Sequence, residues 1–165
     1  MTNSPNARGN NTTADTRRAK SAGLGLAAVG IILFNVAPFL NWVGAEDSDD
    51  IWTGYETDSL VPFMAYLGLG LLIALLYASK RASRGQHRGL SLVSTAVGLA
   101  VSIQCVAFAL EPMGALERGD NLAADIGPWV GFLAAGLWAI GSGLLSKEIE
   151  GDDRVDTHSR GAGAA

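Results

Sequence analysis

Ionisable side chains are missing from four long stretches of this chain. The runs 21–43, 59–79, 90–110 and 126–146 hold no Asp, Glu, Lys, Arg or His. A carboxylate or imidazole inside a bilayer marks a functional site by default. Without one, a proton- or cation-coupled transporter with a midplane carboxylate is excluded. Haem ligation by paired intramembrane histidines is excluded too, because His87 and His158 both lie outside the runs. Thiols are equally scarce. Cys105 is the single cysteine, so no intramolecular disulfide, CxxC redox pair or cysteine zinc cluster can form. No GxSxG or HExxH motif occurs. A calcium loop starting at Asp47 fails as well: Ile51 and Trp52 stand where an EF-hand needs a ligand and a glycine.

What remains is apolar. Each run holds about 21–23 residues, about 30 Å as helix, the thickness of a hydrocarbon core. Backbone groups in lipid must bond within their own segment, so helices are expected. The predicted fold class is all-α: an integral-membrane, antiparallel four-helix bundle. The remaining segments, 1–20 and 147–165, are polar and rich in small residues, and read as disordered tails.

Charge is sorted along the chain. Of the 12 basic residues all but Arg118 precede the first run, follow the fourth, or lie between the second and third. Lys80, Arg81, Arg84 and Arg88 form the middle group, in the stretch "ASKRASRGQHR". The opposite loops, 44–58 and 111–125, are acidic. Positive charge stays on the cytoplasmic side of a membrane. The expected placement is therefore the cell (inner) membrane, with both termini and the basic anchor Lys80, Arg81, Arg84 and Arg88 in the cytoplasm. Topology accounts for these charges without nucleic acid, which is not an expected partner. Trp42, Trp52, Tyr55 and Trp129 are placed by the same frame in the outer headgroup layer, and Tyr77 near the inner one. The first run is longer than a signal-peptide core, and Pro38, Phe39 and Trp42 crowd its end, so it reads as a retained span.

Small residues recur at helical spacing. Gly127, Gly131, Ala135, Ala139 and Gly143 fall every four residues in the fourth span, and Ser94, Gly98 and Ser102 do so in the third. Gly23, Ala27 and Ile31 begin a stripe in the first. Such stripes let helix backbones approach closely, either within the chain or against a partner. Asn35 and Gln104 are intramembrane amides, expected to hydrogen-bond across a helix interface or to face a small polar cavity. Spans two and four share a layout, with Asp58 and Asp125 before them, Pro62 and Pro128 one turn in, and Lys80 and Lys147 behind. Any outward acidic loop followed by an inward basic stop would look similar.

The layout resembles that of small four-span membrane proteins of high-GC bacteria, a likeness of arrangement and not of motif. Small four-span drug exporters are similar in size but rely on a membrane-embedded glutamate that this chain lacks. The expected function is a non-enzymatic structural or accessory subunit, without a cofactor, acting by helix packing. The lipid bilayer and a second copy or another membrane protein are its expected partners. The alternative is a small oligomeric transporter or channel for an uncharged or amphipathic solute, lined by Asn35, Gln104 and Ser102.

Overall fold

The computed structural model of the chain describes residues 22–46, 49–57, 59–112 and 121–161. Its helices are α1 (Ala22–Val36), α2 (Val61–Arg81), α3 (Arg84–Leu110) and α4 (Ile126–Gly161). All four are long and apolar enough to cross a membrane, over Ala22–Phe39, Val61–Arg81, Gly85–Leu110 and Ile126–Ile149. The protein is mostly helical, and its four apolar helices mark it as a multi-pass membrane protein.

The sequence predicts an all-α chain, and the structure departs from that. Three short strands, β1 (Asn41–Ala45), β2 (Ile51–Thr53) and β3 (Leu122–Ala124), form one sheet in the order β2-β1-β3. β1 pairs antiparallel with both neighbours, Gly44 facing Ile51 on one side and Ala123 on the other. The first run therefore stops being α-helical well before Val43. Pro38 lacks an N–H and cannot continue the ladder, so Val36 gives way to a 3₁₀ turn at Ala37–Phe39 and then to β1. Trp42 and Val43 belong to the sheet and not to the span.

The basic stretch also differs from a loop. Lys80 and Arg81 close α2, Arg84 opens α3, and Arg88 is one turn further in. Only Ala82 and Ser83 lie between the helices. Ser83 caps α3 in a reciprocal box with Gln86, whose Oε1 accepts the Ser83 N–H at 3.3 Å. At the other end of the chain α4 continues to Gly161, past Ser146 where the apolar pattern fades. The tail 1–20 lies outside the described residues.

Helix α4 is the centre of the packing. α1 and α3 each lie along it, and α2 packs on α1 and α3. Contacts of α1 ascend as those of α4 descend: Gly23 meets Leu145, Ala27 meets Gly141, and Gly30 meets Trp138. The two helices therefore run antiparallel. The core gathers Ala27, Ile31, Phe34, Ala134, Ala135 and Trp138, with Val101, Cys105 and Phe108 from α3. Leu75, Leu145 and Ile149 form a second cluster.

Candidate functional site

The chemistry of this chain sits along the two long seams of α4. On the α1 side the seam is backbone against backbone. A Cβ built on Gly23, Gly30 or Gly141 would overlap the main chain of Leu145, Trp138 or Ala27 respectively. Glycine is required at these three positions because the helices touch. Such approach gains dispersion contact where lipid supplies no hydrophobic drive.

On the α3 side the seam is both tight and polar. Gly98 lies so close to α4 that a Cβ would stand 2.9 Å from the Ala139 backbone nitrogen. Ser94 and Ser142 are fully buried, with their hydroxyl oxygens 2.9 Å apart. The Trp138 indole Nε1–H donates to Ser94 Oγ at 2.9 Å. Ser102 donates to the Phe132 carbonyl at 3.3 Å. Ser91 and Thr95 donate back to the carbonyls of His87 and Ser91, at 2.9 and 2.8 Å. A bond of this kind in a membrane contributes about 0.6 kcal/mol and at most about 2. Its larger effect is geometric, because an indole and two hydroxyls define one register between the helices.

The stripe Gly127, Gly131, Ala135, Ala139 and Gly143 meets three different surroundings. Ala135 and Ala139 are buried in the packing. Gly127 and Gly131 make room for Trp42, which is 0% exposed; a Cβ on Gly127 would overlap its indole. Gly143 is looser, the nearest foreign atoms to its Cβ position being those of Thr95 at 3.8 Å. Of the third-span stripe, Ser94, Gly98 and Ser102 all face α4. Trp42 is thus a plug and not a headgroup anchor. Its Nε1–H donates to the Ala37 carbonyl at 2.7 Å, and its ring meets Phe108 edge-on at 5.2 Å. Trp129, Tyr55 and Tyr77 are exposed, and Trp52 is partly buried against the core.

Asn35 and Gln104 are not brought together. The Asn35 amide donates to the Ile31 carbonyl of its own helix at 2.9 Å. Gln104 is exposed on the outer side of α3, and its side chain finds no hydrogen-bond partner among the described residues. Lys80 and Arg81 are exposed, Arg88 is partly buried, and the side chain of Arg84 lies outside the described set.

At the sheet, Glu56 folds back on the β2 turn. Thr53 donates both its N–H, at 2.8 Å, and its hydroxyl, at 2.9 Å, to Glu56 Oε2. These bonds, the backbone one foremost, hold the carboxyl below its ordinary value of 4.5. The Tyr55 hydroxyl lies 3.5 Å from that of Tyr66, and this contact raises the Tyr55 pKa above 10.0. Asp125 accepts the Ile126 N–H at 2.7 Å at the start of α4. Asp47 and Asp58 lie outside the described residues. A shallow open depression of about 260 Å³ lies over β1 and β3, lined by Gly44, Glu46, Ala123 and Asp125 among others. Among the described residues no three His, Cys, Asp or Glu side chains gather as a metal site would need.

Sequence reasoning reached the α3 seam through its four-residue spacing. It missed Gly30, Gly141, Trp138 and Trp42. A seven-residue spacing, Gly23 to Gly30 and Ala134 to Gly141, carries the α1 seam and is legible in the same sequence. Compared with known proteins, the chain matches no family model, no curated protein and no solved structure.

Proposed function

We propose that this protein is a non-enzymatic structural or accessory subunit of the inner membrane that works through helix packing. In this reading the four spans form an antiparallel bundle with both termini in the cytoplasm, and the Lys80–Arg88 turn holds the α2–α3 hairpin to that side. The acidic outer segments, now partly ordered as a sheet, face the other compartment. One observation carries the proposal. Ser94, Ser102, Ser142 and Trp138 of the α3–α4 seam bond to one another or to a carbonyl, and the glycines of the α1–α4 seam bring backbones together. The interior chemistry is thus that of a scaffold, while apolar surface faces outward, as at Ile73, Leu133 and Ile140.

The transporter alternative draws no support from a shared polar path within one chain, since Asn35 bonds its own helix and Gln104 faces away. The test is recovery of the tagged protein in native nanodiscs, with mass spectrometry of what accompanies it. A stoichiometric membrane-protein companion supports the accessory role. A partner-free protein whose deletion abolishes one specific transport or enzymatic flux overturns it.

A further inference from the structure

Within the spans, Asn35, Ser91, Ser94, Thr95, Ser102 and Ser142 all have hydrogen-bond partners. Gln104 has none among the described residues and is exposed. Its primary amide offers two donors and an acceptor with two lone pairs. Water would satisfy them on a soluble protein, but hydrocarbon cannot. Escape toward the nearer headgroup layer is blocked by helix geometry. Gln104 lies about 9 Å of helix rise from Leu110, at about 1.5 Å per residue. Helical side chains lean toward the N-terminus of their helix, here away from that end and deeper into the span.

The surface around the amide is shaped for another helix. Ala96, Ala100 and Gln104 follow one another at four-residue spacing along one ridge of α3, and all three are exposed. Val93 (53% exposed), Leu99 (52%) and Ile103 (69%) flank the two alanines. Small residues there permit close approach.

We propose that this face of α3 pairs with the same face of a second copy of the chain across a two-fold axis, the two Gln104 amides hydrogen-bonding to each other. An amide is its own complement: each copy supplies one N–H and one carbonyl, and both are answered without any other chemistry. A two-fold contact presents the same ridge twice, and it is the commonest symmetry of protein assemblies. The pairing rests on the membrane placement of α3 proposed above. It leaves α4 untouched and the α2 face free for a different companion.

The test is energy transfer between copies of the full chain labelled at the C-terminus. The copies are reconstituted in phosphatidylethanolamine–phosphatidylglycerol vesicles over a range of protein-to-lipid ratios. The wild-type chain is expected to self-associate, and Gln104→Leu to weaken the dimer roughly 3- to 30-fold for each of the two reciprocal hydrogen bonds it removes. Gln104→Asn should keep part of the association, and Ala100→Leu should lose it by bulk. With Cys105→Ala as background, Gln104→Cys should cross-link to its counterpart on oxidation, while Ile140→Cys should not. The Gln104 side chain is outside the core, so circular dichroism of Gln104→Leu should match the wild type. A membrane-held chain that stays monomeric at every ratio, or a dimer indifferent to Gln104→Leu, overturns the pairing. A chain that alkaline carbonate strips from the vesicles overturns the membrane placement and the pairing with it. A companion still recovered with Gln104→Leu leaves the accessory role standing when the dimer has failed.

Discussion

Glycine matters in this protein where two backbones or a large ring need the space of a Cβ, and only there. Gly127 faces the Trp42 indole, and Gly30 faces the Trp138 backbone. Alanine at either forces a displacement, so Gly127→Ala and Gly30→Ala should each destabilise the fold by about 1–3 kcal/mol. Gly143 belongs to the same four-residue stripe but has ordinary clearance. Gly143→Ala should leave stability within about 0.5–1 kcal/mol of wild type, since alanine is also the better helix former. Reversible unfolding in lipid, read by tryptophan fluorescence, separates the two classes. Ser94→Ala tests the polar seam. It leaves the buried Trp138 Nε1–H without its acceptor, and an orphaned buried donor costs about 1–3 kcal/mol. Ser142→Ala removes a hydroxyl but leaves that indole bond in place, and should cost less.

Among the elements, the α2–α3 turn and the β2 turn carry the sharpest consequences. The turn between α2 and α3 is two residues long, so its four basic residues belong to helix ends rather than to a floppy loop. In the proposed placement the charge of Lys80, Arg81, Arg84 and Arg88 orients the middle of the chain, and replacing all four by Gln removes it. In a Cys105→Ala background that placement predicts that a cysteine at Gly85 is labelled from the cytoplasmic side alone, and that this sidedness is lost in the four-fold variant. The β2 turn depends on an ionised Glu56. Its carboxyl pKa is lowered in the folded state, so its contribution is complete above the ordinary value of 4.5. That contribution fades as the pH falls below 4.5 and passes through the lower folded value. Amide exchange at Thr53 should therefore quicken on acidification in that window, relative to neighbouring strand amides. Glu56→Gln should exchange faster at neutral pH and lose the dependence.

For the whole molecule, the element that divides it is α4. It alone touches both α1 and α3 along long seams, and its α3 seam holds the buried hydroxyl–indole network. α2 packs less intimately: Gly68 stands 3.3 Å or more, from its Cβ position, from the Trp138 ring. Changes on α2 that preserve apolar character, such as Ile73→Leu, should therefore leave stability unchanged within about 0.5 kcal/mol. The likeness of spans two and four does not extend to their roles. α4 is central and α2 peripheral, although β2 precedes α2 and β3 precedes α4 on opposite edges of the same strand.

Four uncharged runs of bilayer length, bounded by sorted charge, were legible in the sequence because hydrocarbon tolerates so few solutions for a backbone. The four-residue stripe of α4 was legible as a spacing, but its members divide between the buried packing of Ala135 and Ala139, the room made for Trp42 by Gly127 and Gly131, and the loose Gly143. The small sheet was not legible. Asn41–Ala45 is apolar enough to extend a span, and only Pro38, with partners 51–53 and 122–124 far along the chain, turns it into a strand. Trp42 shows the same limit: a tryptophan at a span end reads as an anchor until three glycines, Gly54, Gly127 and Gly131, converge to bury it. Whether Asn35 and Gln104 share a cavity was likewise a matter of helix rotation, which periodicity leaves open when a span is apolar all round. Local composition determines which segments enter lipid, because that free energy is summed residue by residue. Tertiary structure decides which face of each helix meets another, because that depends on contacts between residues distant in the chain.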